Sequence, residues 1–337
     1  MMKFLTYFGL LLILNSCGNY DSKGSKKGYL GSYGDAMVVC SQDFWKSTQG
    51  DSVKVLLTDY VPALMPAQGQ LDLEFTESKN FKGGAKRFRN TIVLDIGDKL
   101  NNQTANIKTT KEEFAVDQLI FYCYAKTPED MVTLLSERYL DIINKINDEE
   151  ILRKQKELSQ RLDTSAMKSI RLKKDYEVLV PLKYTVLLDS GNVLWMNKLT
   201  STAKADLENY IVRDIVISTY DYDSPGVFGL DSMMAKRDEV LKIVSYDSED
   251  STYIRFQERI DPTVRVLSGE NDYKVEVRSV WTKVGAFQGG PSVQYVQLDY
   301  DNRRIIHADA RVYAPNNSKR DIMRELEAII KSVKPLD

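Results

Sequence analysis

Leu119-Ile120-Phe121-Tyr122-Cys123-Tyr124, followed closely by Thr127-Pro128-Glu129-Asp130, carries the clearest structural signal in the chain. An unbroken apolar run of this length, bounded by turn residues, reads as a buried strand. Thr127 is suited to cap a helix, Pro128 to occupy its first position, and Asp130 to reach back as in a capping box. Leu135, Tyr139, Ile142, Ile143 and Ile146 then fall on one helical face. A second helical pattern runs from Asp148 to about Lys174, with Ile151, Leu158, Leu162 and Ile170 apolar and the remainder strongly charged.

A similar unit closes the chain. Arg303 to Tyr313 reads as a strand, Ala314-Pro315 as a turn, and Ser318 with Asp321 as a second capping box. Ile322, Leu326, Ile329, Ile330 and Val333 supply the apolar face. Placing Pro128 on Pro315 brings Leu135 onto Ile322, Tyr139 onto Leu326 and Ile142-Ile143 onto Ile329-Ile330, and Arg213 to Ile217 echoes Arg89 to Val93. The halves 35–175 and 176–337 therefore read as two diverged repeats, although any amphipathic helix after a strand gives some such likeness. Strand patterns also cover Met37 to Cys40, Leu71 to Phe75, Thr91 to Leu94, a hairpin of Val178 to Leu188 and Val193 to Met196, and Tyr253 to Phe256, Tyr273 to Trp281 and Val293 to Leu298, without a strict strand–helix–strand rhythm. The expectation is an α+β fold of antiparallel and mixed sheets with helices packed on one face.

Composition sets location and excludes chemistries. Of 337 residues, 43% are hydrophobic and 28% charged, values of a globular chain. The N-terminus has Lys3, an apolar run from Phe4 to Leu14, then Asn15-Ser16-Cys17. That run is far shorter than the ~20 residues of a membrane-spanning helix and has the form of a lipoprotein signal, 1–16, ending before an acylated Cys17. Residues 17–34, rich in Gly, Ser and Lys, then read as a flexible tether reaching on the order of 20 Å. Net charge is −2, and −3 once Lys3 is removed with the signal, so no basic excess points to nucleic acid. Gly18 after the cysteine favours the outer membrane, facing the periplasm or the exterior.

Catalytic and cofactor motifs are sparse. The single histidine, His307, lies in a strand-like stretch, and neither Gly-x-Ser-x-Gly nor a papain-like cysteine context occurs. With Cys17 acylated, Cys40 and Cys123 are left either to pair or to lie as buried thiols, and they make no zinc site with one histidine. Asp221 to Gly226 begins like a calcium loop but places Pro225 at the fifth position and Ser232 at the twelfth. No metal or cofactor is expected. Lys319 and Arg320, with Arg324 one turn on, put cations at a helix start, where the macrodipole disfavours them. They read either as an anion-binding spot or as a face neutralised by Asp321 and Glu325. Trp281 is a candidate aromatic platform beside them.

Ser41 to Asp51 with Trp45 and Gly50-Asp51, Arg89-Asn90, Arg213-Asp214, and Gly289-Gly290-Pro291 after Arg278 and Trp281 carry a family resemblance. Its most specific part is Tyr313-Ala314-Pro315 running into Lys319-Arg320 and Leu326-Glu327-Ala328. By these the chain resembles an uncharacterised family of Bacteroidetes lipoproteins known as a domain of unknown function, over nearly all the mature chain. Leu64 to Gln68 matches that family's proline-rich turn only loosely, and Ser292 stands where an aromatic is usual. The resemblance implies an envelope location and brings no activity. The expected function is a non-enzymatic binding or assembly factor for an envelope protein or glycan. The alternatives are a hydrolase using Asp/Glu pairs and a glycan- or anion-binding module.

Overall fold

A computed structural model describes residues 26–97, 104–201, 210–269 and 272–336. The signal-like segment, Cys17 and the first part of the tether lie outside the described residues. Where the tether enters them it is already on the protein body: Gly28 bridges Val116, Leu30 bridges Phe88, and the Tyr29 ring lies 4.7 Å from the Arg89 guanidinium. Within the stretch expected as tether, Gly28 to Gly34 thus lies against the protein body. Tyr29 and Tyr33 supply the ring area that a Gly/Ser/Lys composition conceals.

The first half is a five-stranded mixed sheet. β1 (Asp35–Cys40) leads through α1 (Gln42–Trp45) and α2 (Thr48–Leu57) to β2 (Asp72–Glu77). β3 (Asn90–Ile96), β4 (Asn106–Lys111) and β5 (Leu119–Ala125) follow, and then α3 (Pro128–Leu158). The order is β2-β1-β3-β5-β4, parallel except at the β4 edge. Val53 and Leu57 of α2, with Met131, Leu135, Ile142 and Ile146 of α3, close over Val38, Ile92, Leu119 and Phe121. Cys40 and Cys123 are free and buried in this core, and desolvation pushes both thiols up to about 12. β3 separates their strands, so two strand spacings, about 9 to 10 Å, stand between them, beyond disulfide reach.

The capping box forms as expected, with Thr127 Oγ1 accepting from Asp130 N at 3.1 Å and Asp130 Oδ2 from Thr127 N at 3.3 Å. The helix it starts does not stop near residue 147. It runs for 31 residues, about 46 Å at 1.5 Å per residue, and breaks only at 159–163 before α4 (Thr164–Lys174). The cause is burial. Glu150, Ile151 and Arg153 turn inward, where Glu150 holds Arg89 on one oxygen and takes Arg153 and Asn90 on the other, each at 2.8 Å. Leu158, Ala166, Met167 and Ile170 pack with the second core, so α4 belongs to the second half.

β6 (Tyr176–Glu177) opens that half. β7 (Thr185–Ser190), β8 (Val193–Ser201) and β9 (Tyr210–Asp221) lead to α5 (Leu230–Ser245). β10 (Tyr253–Phe256), β11 (Thr263–Gly269), β12 (Asp272–Val284), β13 (Gly289–Asp299) and β14 (Arg304–Tyr313) then precede α6 (Arg320–Ile330). β15 (Lys334–Pro335) returns to pair with β6. The large sheet is antiparallel throughout, in the order β10-β12-β13-β14-β9-β8-β7 with β11 also on β12. The fold is α+β in two sheet-and-helix halves. Both halves contain the strand-then-helix unit, yet β5 is parallel to one neighbour, β3, whereas β14 is antiparallel to both of its neighbours.

In the second half α6 covers one sheet face with Ile322, Leu326, Ile329 and Ile330, and α5 also covers the other with Met233 and Met234. Alternation along β13 and β14 therefore marks an apolar layer under α6 and, under α5, a buried layer in which polar groups stand beside Val275, Val277, Val296 and Ile305. Most of its polar groups pair with one another, as buried polar groups tend to, although Arg311 Nε has no partner among the described residues. Arg237 Nε donates to Asp309 at 2.6 Å, Ser279 and Ser292 share a bond of 2.9 Å, and Arg311 lies 3.4 Å from Asp214.

Glu150→Ala would leave Arg89 and Arg153 buried without their shared carboxylate. Loss of one partner of a buried pair costs about 3–5 kcal/mol, so the midpoint of urea unfolding should fall accordingly. Lys154→Ala, at a pair whose Glu157 carboxylate is exposed, should move it by less than about 1 kcal/mol.

Candidate functional site

The expected capping box at Ser318 does not form. Lys319 is the helix-start residue of α6 and makes no side-chain cap. Gln68, from the first half, takes that place: its Oε1 accepts from the backbone N–H of Lys319 at 3.2 Å and of Arg320 at 2.8 Å. Arg320 reaches across to Asp72 Oδ2 at 2.6 Å and to Gly69 O at 3.1 Å, and also holds Asp321 at 3.1 Å. Against the desolvation of burial, these carboxylates keep its guanidinium above the ordinary value. Arg324 turns inward too and donates to Gln70 O at 3.3 Å. The cations at this helix start thus dock α6 on the first half.

Lys319 separates from the two arginines. It joins Trp281 at a groove of about 560 Å³ formed by the β12–β13 hairpin, the end of β14 and the 61–70 segment. Met65, Ile260, Phe287, Tyr313 and Pro315 give the groove its apolar walls, and Lys319 is its one charged lining residue. Burial lowers the Lys319 ammonium below its usual range. Its Nζ donates to Asn317 O at 3.3 Å, and among the described residues it has no carboxylate partner. Phe287, at the hairpin tip, is fully exposed. Of the four residues singled out in the sequence, Lys319 and Trp281 come together and Arg320 and Arg324 face elsewhere. Phe287 and Met65 were missed; an aromatic inside the turn Gly285 to Gln288 was the available signal.

Gly289 and Gly290 begin strand β13 and form no turn. A Cβ on Gly290 would lie 2.3 Å from Val312 O and 3.1 Å from Trp281 Nε1, so only glycine lets β13 pass here. Trp281 is itself buried, with Nε1 donating to Val312 O at 3.1 Å, and presents no open face for stacking a sugar. Trp45 stacks on Phe75 at 5.0 Å, and Trp195 donates to Asp214 at 3.0 Å.

The carboxylates nearest a shared cavity, Glu276 and Glu327, are both bound by Arg278 at 2.8 Å. Burial would raise the Glu276 carboxyl, but Arg278 and Lys331 hold it well below its ordinary range. This is opposite to what a general acid needs. Among the described residues no three or more His, Cys, Asp or Glu side chains gather as metal ligands, and no helix is long and apolar enough to cross a membrane. His307 has Nε2 on Gln294 Oε1 at 2.9 Å and Nδ1 beside Tyr220 Oη at 3.2 Å, sealed under α5.

The fold defines a two-part α+β protein with a groove and a cavity along the seam between its sheets. Over residues 163–332 the chain matches the family described as Domain of unknown function (DUF4837), and it belongs to that family. Residues 30–159 match a second, Domain of unknown function (DUF8532). No curated protein matches the chain. Among solved structures it is similar to the Ran-binding protein Mog1p of Saccharomyces cerevisiae, at 6% identity and a TM-score of 0.32 over 48% of this chain and 91% of that one. It is also similar to LpqN, involved in cell envelope biogenesis of Mycobacterium tuberculosis, at 12% identity and a TM-score of 0.27 over 47% of this chain and 82% of that one.

Desolvation lowers the buried His307 imidazole from 6.5 to about 4. The fold binds the neutral ring, so its stability is full above pH 6.5 and declines as the unfolded state takes up the proton below it. The loss should reach about 3 kcal/mol by pH 4 at 1.36 kcal/mol per pKa unit. His307→Gln should remove that part of the slope in a pH series of urea unfolding, whatever its effect at pH 7.

Proposed function

We propose that the chain is a lipid-anchored cell-envelope protein that binds a partner protein through the groove around Phe287. The anchor reading rests on the lipobox-like Leu14 to Cys17 and on the resemblance of the mature chain to envelope lipoproteins. The binding reading rests on one observation above others: an exposed phenylalanine beside an apolar groove where Lys319 is the one charged lining residue and has no carboxylate partner among the described residues. Exposed apolar surface rimmed by polar groups is the usual mark of an interaction site. The complementary segment offers an apolar side chain for the groove and a carboxylate for Lys319. Such a carboxylate would recover Coulomb energy in a desolvated setting, where an ion pair is stronger than in water. Both the glycan-stacking and hydrolase readings lack support of this kind, because the tryptophans and the Glu276–Glu327 pair are engaged internally.

Cys17→Ser should abolish incorporation of radiolabelled palmitate and shift the protein from the membrane to the soluble fraction. Retention of label in that variant would overturn the anchor reading.

A photoreactive phenylalanine analogue at position 287 should crosslink a discrete protein in intact cells. Lys319→Met in that background should weaken the yield roughly tenfold, the worth of one charge contact of about 1.4 kcal/mol. The same probe at Tyr300, exposed at the opposite end of β13, is the control. An identical adduct from both positions, or a yield indifferent to Lys319→Met, would sink the groove as the contact.

A further inference from the structure

The seam between the halves encloses a second feature, independent of the groove. α3, α6, β12 and the 61–70 segment surround a cavity of about 250 Å³ lined by Arg265, Arg278, Arg324 and Lys331 with only two carboxylates, Glu276 and Glu327. Both carboxylates are already committed. Glu327 takes the two Nη of Arg278 at 2.8 and 2.9 Å, and Glu276 takes Arg278 Nε at 2.8 Å and lies 2.5 Å from Lys331 Nζ. Arg324 is left over. It is 4% exposed, has no carboxylate partner among the described residues, and spends Nη2 on Gln70 O at 3.3 Å. Among the described residues its Nη1 has no hydrogen-bond partner. The Tyr33 ring, 5.3 Å from the guanidinium, covers the arginine without neutralising it.

A buried cation without a counter-charge is strongly disfavoured, and the planar fork of a guanidinium matches a carboxylate or phosphate. Arg265 adds a second cation at the mouth. Its side chain is 32% exposed, lies across from Glu276 on the neighbouring strand, and pairs with the exposed Asp148 at 3.1 Å, a weak pair that an incoming anion can displace. We propose that this cavity binds a small oxyanion, a carboxylate or phosphate group, with Arg324 as the inner ligand and Arg265 at the entrance. Arg324 and Arg278 belong to the second half, whereas Gln70 and Asp148 belong to the first. An anion bound there ties the two halves together, and its removal loosens them.

The test uses the full chain and two probes, inorganic phosphate and succinate, each against chloride at matched ionic strength and pH 7.5. Thermal unfolding should show a saturable rise in Tm with at least one probe, with half-saturation in the millimolar range, and isothermal titration should give the same constant. In Arg324→Gln the ligand-dependent rise should disappear, whatever the starting Tm. Arg265→Gln, at the exposed mouth, should keep the fold and weaken binding several-fold. A response to phosphate alone assigns a phosphate-bearing ligand, and one to succinate a carboxylate-bearing ligand. A rise no larger than chloride gives, or one that persists with unchanged constant in both variants, would overturn the proposal. Neither result depends on crosslinking at position 287, so this site and the groove stand or fall separately.

Discussion

The insertion of the N-terminus of α6 into the first half is the contact on which the rest of the structure depends. A helix start leaves backbone N–H groups without intrahelical partners and carries partial positive charge. Here the sequence adds Lys319 and Arg320, which on an isolated helix would compound the problem. The first half resolves it with Gln68 Oε1 on the free N–H groups and Asp72 on Arg320. Neither half satisfies these groups alone. The junction is reinforced by Gln155 of α3, which donates to Ala328 O at 2.9 Å on α6, so the long helix of one half braces the last helix of the other.

This dependence also separates what could be read in the sequence from what could not. The β5–α3 unit is legible because its determinants are neighbours in sequence: an apolar run, a capping threonine, a proline at the first position and an aspartate three residues after the cap. At α6 the same reading picks Ser318 and fails, because the oxygen that caps the helix belongs to a residue 251 positions from Lys319. The extension of α3 past Asn147 fails for a related reason. Asp148 reads as the start of a second helix, but the next turn carries Glu150 and Arg153 into a network with Arg89 and with Asn90 of β3, and that burial keeps the helix continuous.

The candidate site was half legible on the same grounds. Cations at a helix start are unusual enough to be noticed from sequence, and Lys319 and Trp281 do share a groove. Arg320 and Arg324 were noticed for the right anomaly, but their surroundings were not legible, since the groups they meet come from residues 69–72. A Gly-Gly pair in a sequence suits a hairpin turn or a bulge, whereas in space the lack of side chains at Gly289-Gly290 lets β13 slide past Trp281 and Val312 O. A glycine needed for close approach and a glycine needed for a bend look alike until the neighbouring strand is known.

Groove and cavity lie along one line because the seam is where the fold leaves surface that neither sheet covers. A sheet buries its faces under its own helices, but the 61–70 segment has to cross from the first core to the second, with Val61 and Leu64 packed into the latter. On one side of that crossing Met65 meets the β12–β13 hairpin and makes the groove; on the other, Gln70 meets Arg324 and lines the cavity. The two sites are thus separated by a few residues of the same strap.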